Sequence, residues 1–127
     1  MEKQPFCILL VEDDHDVAFG ASLRLRSAGY RTLIAHDGRE GVDVARKELP
    51  AAIVLDVRMP RMNGLVALGK LQQDERTKHI PIVMLSASIV DQQAALDAGA
   101  RYFLTKPYQP ATLLTAVERV ISENPHE

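Results

Sequence analysis

The sequence predicts one α/β domain across residues 1–127, a doubly wound, parallel five-stranded sheet of (βα)5 pattern with strand order 2-1-3-4-5. Three observations predict it. Short apolar, β-branched runs alternate from end to end with stretches of helical spacing, as in a parallel sheet covered by helices on both faces. Right-handed crossovers leave few topologies for five such units, and a chain of this size suits the order whose switch point lies between strands one and three. Finally, several of the apolar runs exit straight into charged residues, at the sheet edge where folds of this kind keep their ligands.

The first run, 6–11, exits into Glu12-Asp13-Asp14. Cys7 lies within it and is the chain's one cysteine, so no internal disulfide is possible and a buried, reduced thiol is expected. Asp14 is expected to cap the following helix rather than to bind metal, because Asp is a preferred N-cap. In that helix Val17, Ala21, Leu25 and Ala28 recur at helical spacing and Gly29 is the stop. His15 reads as a solvated first-turn residue. The second run, 31–35, leads to a helix marked by Val42, Ala45 and Leu49 and stopped by Pro50.

The third run, 52–55, is followed by Asp56, and the chain turns at Met59-Pro60. The next helix, 64–72, carries Leu65, Leu68 and Leu71. Gly64 at its start reads as a backbone device rather than a phosphate cradle, since no glycine-rich loop surrounds it. Met59, Met62 and Met84 read as packing and turn residues. The fourth run, 80–85, precedes Ser86, and its helix, 89–98, stops at Gly99. The fifth, 101–104, leads to Lys106-Pro107. The last helix, 110–122, begins with Pro110, whose missing N–H is no loss in a first turn, and the tail from Glu123 is expected to fray.

Composition excludes several function classes. The 127 residues are 46% hydrophobic and 25% charged, ordinary for one soluble domain with a real core. The formal net charge is −2 and no Lys/Arg run forms a phosphate-binding patch, so nucleic acid is not an expected partner. No apolar stretch approaches the roughly 20 residues of a membrane span, and no signal peptide is expected. The default compartment is the cytosol.

If the strands are ordered 2-1-3-4-5, Glu12, Asp13 and Asp56 meet at the switch point. Three carboxylates together repel and raise one another's pKa. A hard divalent cation, Mg²⁺ or Mn²⁺, answers that, and the lack of His or Cys in the cluster argues against zinc. Mg²⁺ keeps several waters and favours phosphate oxygens, so the cluster is built to receive a phosphoryl group. Lys106 adds a positive charge from a different strand and Ser86 a hydroxyl donor. Phosphorylating Asp56 would take it from −1 to roughly −2, with the new oxygens held by the metal, Lys106, Ser86 and nearby N–H groups. Aspartyl phosphates are an established covalent type, and their chemistry rests on positioning and charge neutralisation.

With these residues together, the chain resembles the receiver domain of two-component response regulators, over about residues 5 to 122. The resemblance rests on Ile8-Leu-Leu-Val-Glu-Asp-Asp14, Ala35-His-Asp-Gly38, Leu55-Asp-Val-Arg-Met-Pro-Arg-Met-Asn-Gly64, Ile80-Pro-Ile-Val-Met-Leu-Ser-Ala87, Ala98-Gly-Ala100 and Lys106-Pro-Tyr108. It implies a flavodoxin-like sheet and a phosphoacceptor switch rather than a turnover enzyme, one that assists its own phosphorylation and dephosphorylation. Asp56 matches the phosphoacceptor. Glu12, Asp13, Asp56 and the backbone carbonyl of Arg58 match the metal shell, with Asp13 the direct and Glu12 the water-mediated ligand of the acidic pair. Lys106 matches the lysine that pairs with the phosphoryl group, Ser86 the switch hydroxyl and Phe103 the switch aromatic. Arg58 and Ser88 occupy positions that tune phosphoryl lifetime, and Lys106-Pro107 matches a cis bond.

The implied donor is a sensor histidine kinase or a histidine phosphotransfer protein. The implied receiver of the signal is a protein target, or an output domain beyond residue 127, reached through the face formed by the fourth helix, fifth strand and fifth helix. The departures are Glu12 for Asp, Ala51 and Ala52 at the start of the third strand, and Tyr108 for Phe. Three other readings are open. An aspartate-nucleophile phosphohydrolase needs an acid two residues after its nucleophile, where this chain has Arg58. A flavin binder of the same sheet order needs phosphate-binding N–H donors where this chain has Glu12-Asp13-Asp14. A degenerate receiver would act as a constitutive interaction module, yet every active position carries a competent residue.

Overall fold

A computed structural model describes residues 5–124. Strands and helices alternate as β1 (Cys7–Val11), α1 (His15–Ser27), β2 (Arg31–Ala35), α2 (Gly38–Glu48), β3 (Ala52–Asp56), α3 (Gly64–Gln73), β4 (Ile82–Ser86), α4 (Asp91–Asp97), β5 (Tyr102–Thr105) and α5 (Pro110–Glu123). The five strands form one parallel sheet in the order β2-β1-β3-β4-β5, as expected.

The period-two alternation of each strand divides the core into two layers. Leu9, Val11, Ile53, Leu55, Ile82 and Met84 face one side with Val42, Leu68 and Ala95, from α2, α3 and α4. Ile8, Leu10, Val54, Val83 and Leu85 face the other with Leu25 of α1 and Leu113, Val117 and Val120 of α5. Strands β3 and β4 are buried along their whole length, which is why they read as continuous apolar runs. Each large side chain so buried contributes about 1.5–3 kcal/mol. Among the described residues no helix is long and apolar enough to cross a membrane.

Helix ends follow from local chemistry. Asp14 accepts from the N–H groups of Asp16 and Val17 and so caps α1, the expected role. Asp37 caps α2 through the Glu40 N–H, Asn63 caps α3 through the Val66 N–H, and Pro110 opens α5. Gly29 and Gly99 follow α1 and α4 at φ 100° and 113°, where a side chain is disfavoured. Helix α2 is closed instead by Leu49 at φ 49°, immediately before Pro50.

Four expectations are corrected. β4 starts at Ile82, not residue 80, because Pro81 has no N–H to give the ladder and only its carbonyl pairs, with the Ile53 N–H. α4 is one turn shorter than its spacing suggested, and Ile89 and Val90 lie exposed in the turn before it. Cys7 is half-buried because it opens β1 at the sheet's rim; the burial still pushes its thiol pKa up, away from reactivity. Glu123 does not fray but ends α5, accepting from the Tyr102 hydroxyl; residues 125–127 of the expected tail lie outside those described.

Candidate functional site

The chain leaves β1 for β2 in one direction and enters β3 on the other side, so a crevice opens at the carboxyl ends of β1 and β3. Register brings Val11 opposite Leu55, and therefore places the next residues, Glu12 and Asp56, side by side. Carboxylate oxygens of Glu12, Asp13 and Asp56 lie within 4.8 Å of one another. Glu12 and Asp56 are buried and Asp13 is exposed. The set is all oxygen, with one open side: a fit to a hard divalent cation that keeps part of its water.

Lys106 reaches this cluster from β5. Its Nζ donates at 2.8 Å both to Glu12 Oε1 and to Asp56 Oδ2. Its backbone N–H donates to the Ser86 carbonyl at 2.8 Å, and the Lys106-Pro107 bond is cis. Burial lowers the lysine's pKa, but the hydrogen bonds to Asp56 and Glu12 and the charges of those two carboxylates together more than offset it, and the net direction is up. Glu12 is raised, chiefly by burial and further by the nearby Asp56 charge, against hydrogen bonds from Lys106 and the Asp14 N–H. Burial likewise raises the Tyr108 phenol. The turn carrying Lys106 and Tyr108 also walls a mostly apolar groove of about 440 Å³ against Val17, Gly20 and Arg24 of α1.

The loop after Asp56 is held tightly. A Cβ on Gly64 would sit 2.2 Å from the Asp56 carbonyl oxygen, and the Gly64 N–H donates to Val57 O at 2.7 Å. Gly64 is thus the backbone device expected of it. Arg61, at φ 67°, pairs with the N-cap Asp37 at 2.7 Å. A Cβ on Gly38 would meet the Met62 carbonyl oxygen at 2.1 Å, so the Asp37-Gly38 turn packs directly on this loop. Met59 and Met62 are half-buried against the core, and Met84 is fully buried.

The remaining candidates lie on the α4 side. Ser86 is fully buried and its Oγ donates to Asp91 Oδ2 at 2.6 Å. The Arg58 guanidinium turns to the same carboxylate, Nε at 3.1 Å from Oδ2 and a terminal nitrogen at 3.2 Å from Oδ1. The Ser88 N–H donates to Ser86 Oγ, and Ser88 Oγ accepts from the Val90 N–H. Phe103 is half-buried against the layer that α2, α3 and α4 cover. So Glu12, Asp13, Asp56 and Lys106 come together directly, while Ser86, Ser88 and the Arg58 side chain gather around Asp91.

Three features of the site carry no signal in the sequence. Asp91 sits in an ordinary helix start, and only the fold brings Ser86 and Arg58 to it. The Asp37–Arg61 pair joins two loops distant in sequence. The third is a stack of His15 on His36, centroids 3.8 Å apart and planes within 5°, with His36 Nδ1 at 3.1 Å from Glu12 O. His15 is solvated in the first turn, as expected, but it has this partner.

Comparison with known proteins agrees with the geometry. The family profile described as "Response regulator receiver domain" matches residues 8–118. The DNA-binding dual master transcriptional regulator RpaA of Synechocystis sp. is 35% identical over 116 residues, which are 90% of this chain and 48% of that protein. The structure of the Vibrio cholerae chemotaxis protein CheY4 superposes with a TM-score of 0.85 at 34% identity, covering 92% of this chain and 99% of that one. The receiver domain of sensor histidine kinase PA1611 from Pseudomonas aeruginosa PAO1, solved with a magnesium ion coordinated in its active-site cleft, superposes with a TM-score of 0.86 at 32% identity, covering 94% and 99%. The chain spans about half the length of several curated relatives it matches.

Proposed function

Because this chain belongs to the response regulator receiver domain family, we propose that Asp56 accepts a phosphoryl group from a histidine kinase or histidine phosphotransfer protein in the cytoplasm, and that the acyl phosphate switches partner binding. The observation that carries this reading is the position of Asp56: at the end of β3, inside a carboxylate cluster, and 2.8 Å from the ammonium of Lys106.

In the transfer, a carboxylate oxygen of Asp56 forms a bond to phosphorus and the donor's phosphorus–nitrogen bond breaks, the electron pair leaving with the imidazole. Asp56 goes from −1 to roughly −2. Glu12, Asp13, Asp56 and the Arg58 backbone carbonyl would hold Mg²⁺ or Mn²⁺. Bound there, the cation supplies positive charge that offsets the phosphoryl oxygens. Lys106, already shared between Glu12 and Asp56, needs only a small shift to follow the new oxygens. Ser86 supplies a hydroxyl proton to one of them, and Phe103 repacks as the hydroxyl leaves its present place. Arg58 and Ser88, beside the site, set how long the acyl phosphate survives. The consequence is a population shift of the α4–β5–α5 face, read by a protein target or by an output domain of a longer chain. Relatives that include a transcriptional regulator of about twice this length support the second arrangement.

The test is incubation with Mg²⁺ and acetyl phosphate followed by intact mass measurement. The expected result is the gain of one phosphoryl group that Asp56→Asn abolishes. No gain with acetyl phosphate or with any phosphorylated histidine donor would sink the reading.

A further inference from the structure

Two groups that the phosphoacceptor reading places at or beside Asp56 are engaged elsewhere, by a single carboxylate. The Ser86 hydroxyl, fully buried, donates to Asp91 Oδ2 at 2.6 Å. The Arg58 guanidinium, two residues after Asp56, grips both oxygens of the same carboxylate at 3.1 and 3.2 Å. Asp91 is buried as well and opens α4. The Ser88 N–H also ends on Ser86 Oγ, and the Asp91 N–H on the Ser88 carbonyl. The end of β4, the turn after it and the start of α4 therefore form one hydrogen-bonded unit around this carboxylate.

A serine hydroxyl has one proton to donate. While that proton goes to Asp91 it cannot go to a phosphoryl oxygen. Hydrogen bonds to a charged acceptor are about twice as strong as neutral ones, so the competition is between two anionic acceptors.

Resting on the phosphoacceptor reading, we propose that Asp91 is a positioning residue for the switch: it latches the Ser86 hydroxyl and the Arg58 side chain to the start of α4 in the unphosphorylated protein. Phosphorylation of Asp56 takes both groups from it and frees α4 in the same event. Asp91 opposes phosphorylation, and its removal favours the phosphorylated arrangement.

The test uses the full chain and beryllofluoride with Mg²⁺, a mimic of the acyl phosphate, titrated calorimetrically. Asp91→Asn keeps the shape but removes the charge, and is expected to tighten the apparent affinity about fivefold or more, the lower range of coupling between linked sites. Asp91→Ala is expected to do the same. In the Arg58→Ala/Ser86→Ala background, Asp91→Asn is expected to change nothing, since a latch with nothing to hold has no effect. Unchanged or weaker binding in both single variants overturns the proposal, as does an effect that persists in the double-variant background. Amide chemical shifts of the unmodified protein give a reading free of any folding defect. The Ser88 and Asp91 amides are expected to move on beryllofluoride binding; their staying fixed while the neighbours of Asp56 move also overturns it. If the wild-type protein takes up no beryllofluoride, the phosphoacceptor reading fails and the latch fails with it. If it binds beryllofluoride but neither Asp91→Asn nor Asp91→Ala tightens that binding, the latch alone fails.

Discussion

Lys106 Nζ donates to Asp56 Oδ2 at 2.8 Å across a sequence separation of 50 residues, and to Glu12 Oε1 at the same distance. One ammonium thus pairs with two carboxylates that are almost fully buried, while it remains a quarter exposed itself. Such a pairing offsets part of the desolvation of the two acids, and removing one partner leaves charge buried without compensation. The lysine takes one oxygen of each of these carboxylates, and both carboxylates belong to the cluster that would hold a divalent cation.

Replacing Lys106 by Met should therefore act in two opposite directions. Mg²⁺ should bind more tightly, by up to about tenfold, equivalent to about 1.4 kcal/mol, because its competitor is gone. Phosphorylation by acetyl phosphate should slow by more than tenfold, because the new oxygens lose their fixed cation. Calorimetric Mg²⁺ titration and the rate of mass gain measure the two effects. Weaker Mg²⁺ binding in the variant would contradict the competition.

Glycines at two positions should respond oppositely to alanine. At Gly64 the added Cβ would collide with the Asp56 carbonyl at 2.2 Å and crowd Val57 Cα at 2.9 Å. The backbone that aims Asp56 must then shift, at a cost of about 1–3 kcal/mol and with slower phosphorylation. At Gly20, in the middle of α1, a Cβ would meet no described atom within 4 Å beyond its own stretch of helix, and alanine should stabilise by about 0.5–1 kcal/mol. Denaturant unfolding of both variants checks the signs. A neutral Gly64→Ala would mean that the loop yields freely.

Asp74 lies at the end of α3, where it accepts from Arg46 Nε at 2.8 Å and from the Arg76 backbone N–H and guanidinium. The Arg76 hydrogen bonds, side chain first, with help from Arg46, lower its pKa to about 2. An acid lowered in the folded state stabilises it above the unfolded pKa, near 4 for Asp, and loses that contribution as pH falls through the folded value. The melting temperature of the wild type should exceed that of Asp74→Asn above about pH 4, and the gap should close as pH approaches 2. Because Arg76 is exposed, added salt should narrow the gap too. A gap that stays constant over this range would show that the substitution acts through something other than the charge.

The acidic cluster and its lysine were legible because each residue lies within two positions of the end of an apolar run. Once Ile8–Val11 and Ala52–Leu55 are accepted as adjacent parallel strands, Glu12 and Asp56 have no choice but to meet. Helix starts were partly legible as well: Asp14 was recognisable as a cap, because capping depends on residues only two or three positions away. Boundaries that depended on backbone pairing were less so. In the run 80–85 the one sign that the ladder begins at Ile82 is Pro81, which has no N–H to donate and pairs through its carbonyl with the Ile53 N–H.

What the sequence determined by itself is the layout: hydrophobic periodicity dictates which segments are strands and helices, their alternation limits the topology, and that topology carries Glu12, Asp13, Asp56 and Lys106 to one edge. What only the tertiary structure decided is where the other side chains point. Ser86 lies at that same edge, yet its proton goes to Asp91; Arg58 follows Asp56 by two residues, yet its guanidinium turns away to α4; and His15 lies flat on His36. The periodicity of a chain records burial, which is a property of each segment's faces. A hydrogen bond between side chains on different elements depends on distances and rotamers that exist only after those elements have packed.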